Sequence, residues 1–246
     1  MKAQALTAFG EPLTPMDPTP QKPGAGEALV RVTRAGLCHS DLHIHDGYFD
    51  FGDVRQPVAI NMPAVLGHEI EGEVAELGEG ASGPAVGTRV AVYPWLGCGK
   101  CETCLEGNPN CCPNVRFCGS APVAGTLSEY YAHPAELCEP LPASLDFADG
   151  AMLEPLGVTV HALSLAKVRP GDTVAILGAG PIGLMTLQVA LGSAGAVYVS
   201  EPVPERRELA AELGATAVCD PRANDPVTWL MDETHGRGVD IAIELA

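Results

Sequence analysis

Cys98, Cys101, Cys104 and Cys112 fall in one short loop with the spacing C-x2-C-x2-C-x7-C. Thiols crowded in this way constrain what can be built around them. Four thiolates can close a tetrahedron on a single zinc ion, leaving no position open to a substrate. The loop is then pinned by the metal and does no chemistry. Cys111 directly precedes Cys112, so the residues alone leave the fourth position open between the two. The chain has nine cysteines and no apolar leader over Met1–Leu6, which favours metal ligation over disulfides.

A second candidate metal set is scattered along the chain and chemically mixed: Cys38, the pair His68-Glu69, and Glu154. A thiolate, an imidazole and carboxylates drawn from distant segments suit a zinc site that keeps one position open. Taken singly, a lone Cys reads as core and a His-Glu pair as solvated surface. The run Gly36-Leu37-Cys38-His39-Ser40-Asp41-Leu42-His43 adds a hydroxyl at Ser40 and, at His43, a group that titrates near neutral pH. A third motif, Gly178-Ala179-Gly180-Pro181-Ile182-Gly183, follows an apolar strand and opens a helix, with Glu201 closing the next strand. In that context the glycines admit a dinucleotide pyrophosphate, the helix N-terminus stabilises its charge, and the acid binds the adenosine ribose. A carboxylate there repels a 2′-phosphate, which favours NAD over NADP.

Periodicity divides the chain. Ala28–Thr33, Glu71–Leu77 and Thr88–Tyr93 alternate apolar and polar residues as half-buried strands do, and Gly/Pro punctuation between them suggests a compact barrel-like β domain. Turn residues cluster from Pro140 to Gly150, and Asp53–Val58 reads as a loop. Beyond Met152, strands at 173–177, 196–200, 217–219 and 239–243 alternate with helices at 182–191 and 204–213, the latter stopped by Gly214. That is the pattern of a parallel doubly wound sheet. Four strands are legible where the complete fold has six, so the chain is expected to be truncated at its C-terminus. A net charge of −17 argues against nucleic acid and anionic membrane as partners. No apolar span reaches about eighteen residues, and the expected location is the cytoplasm. His45, His133 and His235 read as surface or loop histidines, and Cys118, Cys138 and Cys219 as small buried residues.

Together these motifs resemble the zinc-containing medium-chain dehydrogenase/reductase family, in family order along the whole chain. Cys112-Pro113-Asn114-Val115-Arg116-Phe117 and Met152–Val158 are similar to sorbitol and other polyol dehydrogenases. Threonine dehydrogenases, simple alcohol dehydrogenases and an inactive zinc-stapled fragment remain alternatives. The resemblance implies an N-terminal GroES-like β barrel over residues 1–152, an incomplete Rossmann domain over 153–246, and an active cleft between them. It implies two zinc ions per chain, with Cys112 as fourth ligand of the structural one. Cys38, His68 and Glu69 would hold the catalytic one, with Glu154 as ligand or as anchor of a metal-bound water. Asp41 would orient His68, and Ser40 would relay a proton to His43. The implied cofactor-binding set is His39, Gly178, Gly180, Pro181, Ile182, Gly183, Glu201 and Arg206. The expected substrate is a small alcohol or polyol, and the full-length form is expected to be a homo-oligomer.

Overall fold

A computed structural model of the chain describes residues 1–18, 22–50, 54–120, 123–145 and 149–246. They form two compact units, Met1–Glu154 and Pro155–Ala246.

The first unit centres on five strands: β1 (Glu27–Gly36), β2 (Glu69–Leu77), β3 (Arg89–Val92), β4 (Tyr130–Pro134) and β5 (Cys138–Pro140). They pair antiparallel in the order β4-β1-β2-β3-β5. Helix α1 (His39–Asp46) follows β1 directly. Ala3–Leu6 pairs with Thr14–Met16 and Ala64–Val65 in a separate sheet, and Trp95–Leu96 pairs with Arg116–Phe117. The described strands thus make several small sheets, and the edge strands β4 and β5 do not pair with one another. Arg55–Pro57, expected as loop, pairs with Tyr48–Asp50, and the Arg55 guanidinium lies 4.5 Å from the Tyr48 ring centre. Asp53 is outside the described residues, as is part of the turn-rich stretch after Pro140.

Burial in the main sheet departs from simple alternation. Ala28, Leu29 and Val30 are buried in succession, as are Val90, Ala91 and Val92. Ile70 and Glu71 are buried side by side. A 3-10 turn, Gly150–Met152, packs across β1, β2 and β3 and covers the Glu71 carboxylate, on the face where alternation expects solvent. Val30, Ile70, Val74, Val90, Tyr131, Cys118 and Cys138 form the core beneath.

The second unit starts within α2 (Leu153–Ala166) and alternates β6 (Thr173–Leu177), α3 (Pro181–Leu191), β7 (Ala196–Ser200), α4 (Pro204–Glu212), β8 (Ala217–Cys219), α5 (Pro226–Glu233) and β9 (Ile241–Glu244). All four strands are parallel, in the order β8-β7-β6-β9. This is the order a doubly wound sheet adopts when its first strand lies beside its fourth. Val174, Ile176, Leu187, Val197 and Val199 fill the core. Gly214, with φ +103, follows α4 where the sequence expects the stop. The alternation reading passes over α5, although Asp225 caps it by accepting the Thr228 amide at 2.9 Å. Strand β9 begins two residues later than expected because Asp240 bonds to Thr173 instead, through both backbone and side chain. Among the described residues no helix is long and apolar enough to cross a membrane.

Candidate active site

Cys38 is the N-cap of α1, in an extended conformation. Side chains at that position accept the first free amides of a helix, and the helix dipole favours an anion there. Its thiol is accordingly pushed down from the ordinary cysteine range, chiefly by a hydrogen bond with His68 and also by Ser40, whose hydroxyl and backbone amide both reach it. Gly47, at φ 85, ends the helix in the left-handed conformation. Ser40 and His43 are three residues apart in α1, so they share a helix face. The His39 and His43 rings lie 4.8 Å apart, and His39 is exposed.

Asp41 ties this helix to the segment carrying His68. It is buried; its Oδ2 accepts the Cys38 amide and its Oδ1 the Gly67 amide, each at 3.0 Å. Oδ1 also lies 3.6 Å from His68 Nδ1, too long for a good hydrogen bond but close enough for a strong electrostatic effect. Burial alone would push the His68 ring down. Asp41 and Cys38 outweigh it and raise the ring to about 10. Glu69 starts β2 opposite Gly36 of β1, and a Cβ on Gly36 would overlap its Oε2. Only glycine leaves room for the carboxylate there. The ligand atoms of Cys38, His68 and Glu69 all lie within 4.8 Å of one another. A thiol, an imidazole and a carboxylate brought this close can hold a divalent cation once the thiol and the imidazole have given up their protons. The Glu69 carboxyl is pushed up by burial, against the pull of His68.

Glu154 does not enter this tight cluster, yet it feels it. Burial pushes its carboxyl up, His68 pulls it down, and Glu69 and Asp41 push it up again. It stands outside the three, at the first turn of α2. One wall of the site was not assigned from sequence: Phe117 stacks 4.8 Å from His68, and Trp95 4.5 Å from Phe117. Phe117 closes a motif noted in the sequence, but nothing there indicates a stacking role.

In the cysteine loop, the sulfurs of Cys98, Cys101, Cys104 and Cys112 also lie within 4.8 Å of one another. The Cys101 and Cys112 sulfurs are 3.7 Å apart. A tetrahedron with zinc–sulfur bonds of about 2.3 Å has edges of about 3.8 Å, so the set fits zinc. Geometry also decides between the adjacent cysteines. Cys112 is buried, and its sulfur accepts amides from Cys98 at 3.4 Å and Asn114 at 3.3 Å, whereas Cys111 is exposed and outside the cluster. Amides of Lys100 and Cys101 push the Cys98 thiol down to about 6.

In the second unit, Gly180 caps α3 and Pro181 opens it. A Cβ on Gly183 would overlap the Gly178 carbonyl, so the turn closes tightly only with glycine there. Gly178 has φ +104. Ile182 accepts the Thr186 hydroxyl through its carbonyl at 2.8 Å. Glu201 is almost wholly buried, with Oε2 accepting the Ala179 amide at 2.6 Å and Oε1 the Val203 amide at 2.7 Å. The carboxylate thus clamps the glycine turn to the end of β7. Arg206 points to solvent; the neighbouring Arg207 instead donates to the Glu201 carbonyl at 2.6 Å.

One histidine expectation is overturned. His133 is buried at 1% exposure, because β4 turns Tyr131 and His133 inward together. Its Nε2 lies 3.0 Å from the Tyr93 carbonyl and its Nδ1 3.3 Å from the Tyr131 hydroxyl, which meets the Cys118 sulfur at 2.8 Å. His45 is half-buried between Asp46 and the Glu11 carbonyl, each at 2.9 Å, while His235 is exposed in a loop. Cys118, Cys138 and Cys219 are buried.

Comparison with known proteins gives a consistent pattern. Residues 24–143 match the alcohol dehydrogenase GroES-like domain, and residues 181–246 match the zinc-binding dehydrogenase domain. The sorbitol dehydrogenase of Bacillus subtilis is 39% identical over 89% of this chain and 61% of its own length. The D-xylulose reductase A of Aspergillus oryzae is 36% identical, over 92% of this chain and 63% of its own. This chain therefore spans a little over three-fifths of those relatives. A solved structure from Sinorhizobium meliloti, classed with the zinc-binding dehydrogenases and bound to NADP, is 36% identical with a TM-score of 0.90. It aligns with 100% of this chain and 69% of its own.

Proposed function

This chain belongs to the zinc-containing medium-chain dehydrogenase/reductase family, and on that premise we propose that it oxidises a secondary alcohol of a polyol with NAD. The observation that carries this reading is the convergence of Cys38, His68 and Glu69 within 4.8 Å, with the Glu154 carboxyl close by. Zinc held by these residues supplies Lewis-acid activation of an alcohol, and NAD supplies the hydride acceptor. A donor set with one thiolate and more than one carboxylate makes for a hard, hydrated site, which suits a multi-hydroxyl substrate better than an apolar alcohol. The similarity to a sorbitol dehydrogenase and a D-xylulose reductase supports the same substrate class.

The chain's own residues divide the remaining work. Asp41 fixes the Cys38 and Gly67 backbones together, so the thiolate and the imidazole keep their spacing. Phe117 and Trp95 screen one side of His68 from water. Ser40, hydrogen-bonded to Cys38 and on the face of α1 that carries His43, takes up the alcohol proton and passes it outward. Glu154 would either join the ligands of a bound zinc or anchor a water beside it. The glycine turn and the N-terminus of α3 would receive the dinucleotide pyrophosphate, and Glu201, with lone pairs left beside its two amide bonds, would bind the ribose. Preference for NAD over NADP rests on that carboxylate.

The test is zinc content per chain, measured alongside initial rates with sorbitol, xylitol, threonine and ethanol, each with NAD and with NADP. Two zinc ions and NAD-linked oxidation confined to the polyols are expected. Turnover of threonine or ethanol in preference to both polyols would refute the substrate class. Cys38→Ser should lose one zinc and all turnover, and retained activity in that variant would refute the site.

A further inference from the structure

Glu71 is an anomaly the mechanism leaves unused. It is fully buried in β2, and its Oε1 accepts Arg89 Nη2 at 2.6 Å and Nε at 3.1 Å. Its Oε2 has no hydrogen-bond partner among the described residues. Burying an ion pair costs several kcal/mol of desolvation, and an apolar pair of similar volume is often as stable. Stability therefore does not account for a carboxylate at this position, but its neighbours suggest a geometric role.

Residues two apart in a strand face the same way, so Glu71 shares the face of β2 that carries Glu69. On that face the 3-10 turn Gly150–Met152 rests on the Glu71 carboxylate: a Cβ on Gly150 would lie 2.6 Å from Oε2. Arg89 grips the chain leading into the turn twice more. Its carbonyl accepts the Leu141 amide at 2.9 Å, and its Nη1 donates to the Leu145 carbonyl at 2.8 Å. Two residues past the turn comes Glu154.

We propose that the buried Glu71–Arg89 pair is a positioning device for Glu154, setting where the Gly150–Met152 turn sits on the sheet and so where the Glu154 carboxyl stands relative to Cys38, His68 and Glu69. The inference rests on the reading of Glu154 as part of the metal site. Neither member of the pair touches substrate or metal. Each acts through the turn.

The test measures the metal affinity of the Cys38 site by chelator competition, together with the absorption spectrum of that site loaded with cobalt(II). It compares Glu71→Gln, the apolar pair Glu71→Met/Arg89→Met, Glu154→Gln, and Glu71→Gln combined with Glu154→Gln. Zinc retained by the cysteine loop and the melting temperature report folding. The apolar pair guards against a variant that fails only because a charge is stranded. Loss of an outer partner weakens a metal site about ten- to hundred-fold. Glu71→Gln and the apolar pair should each weaken the site by about tenfold and shift the cobalt spectrum as Glu154→Gln does, with the cysteine loop still filled. The combined variant should be no weaker than Glu154→Gln alone. Effects of Glu71→Gln and Glu154→Gln that multiply would overturn the proposal, as would an unchanged site in a folded apolar pair. If Glu154→Gln itself left affinity and spectrum unaltered, the fault would lie with the reading of Glu154 at the metal.

Discussion

Acid should find a specific weak point at His133. The Tyr93 carbonyl can only accept, so His133 Nε2, 3.0 Å away, carries the ring proton. Nδ1 must then accept from the Tyr131 hydroxyl at 3.3 Å, and the Tyr131 oxygen is left to accept the Cys118 thiol at 2.8 Å. The chain of donors is satisfied only while the imidazole is neutral. Burial, opposed weakly by the Tyr93 bond, pushes the ring from 6.5 down to about 4. A histidine depressed on folding contributes stability that is fully present above its unfolded pKa. That stability is lost as pH falls through the folded one, so the window lies between pH 6.5 and 4. The linkage integral for these two values gives a loss of about 2 kcal/mol by pH 5 and about 3 kcal/mol below pH 4. His133→Gln keeps a donor for the Tyr93 carbonyl but cannot titrate. At pH 7.5 it should cost the protein about 1–2 kcal/mol of hydrogen bonding and packing. By pH 5 that cost should vanish or change sign. The assay is the urea midpoint of parent and variant from pH 7.5 to 4.5. Thiolate protonation and zinc loss at low pH are common to both proteins and cancel in the difference. A stability difference that stays constant across the range would refute the reasoning, since it would mean His133 binds its proton equally in both states.

Three further outcomes are expected. Gly36→Ala places a methyl group where the Glu69 carboxylate lies, so it should lower zinc affinity at the Cys38 site about tenfold or more while the cysteine loop keeps its ion. Equal loss from both sites, measured by stepwise chelation, would count against that local account. Cys98→Ser should release the loop's zinc and cost the first unit several kcal/mol, on the order of a structural metal's contribution to folding. Cys111→Ser should retain full zinc and move the melting temperature by no more than about 0.5 kcal/mol allows; zinc loss in the latter would return the fourth position to Cys111.

How much of this is legible in sequence depends on how far the decisive contact lies from the residue concerned. The parallel sheet is legible because its strands and helices are set by local periodicity and its turn by glycines within one segment. The candidate ligands are legible by chemical type, since a thiol, an imidazole and acids in mixed company have few other uses. Two features in β strands misread because alternation assigns faces without saying what covers them. Glu71 sits at a polar position of an alternating strand and reads as solvent-facing. It is buried because a turn far along the chain, ending just before Glu154, lies over that face. His133 reads as a loop residue because Pro134 follows it, yet proline is tolerated at the end of an edge strand, and β4 is an edge strand ending at Pro134. The signal that could have found it was present, for Tyr131 and His133 are two apart and so share a face, and the aromatic at Tyr131 marks that face as the inner one. Both misreadings concern polar groups that a sheet buries on long-range contacts. A buried polar group costs stability unless it is partnered. Arg89, the partner of Glu71, comes from the neighbouring strand, and Tyr93, which accepts from His133, from a distant connection, so neither could be read along the chain; only Tyr131, two residues before His133, could.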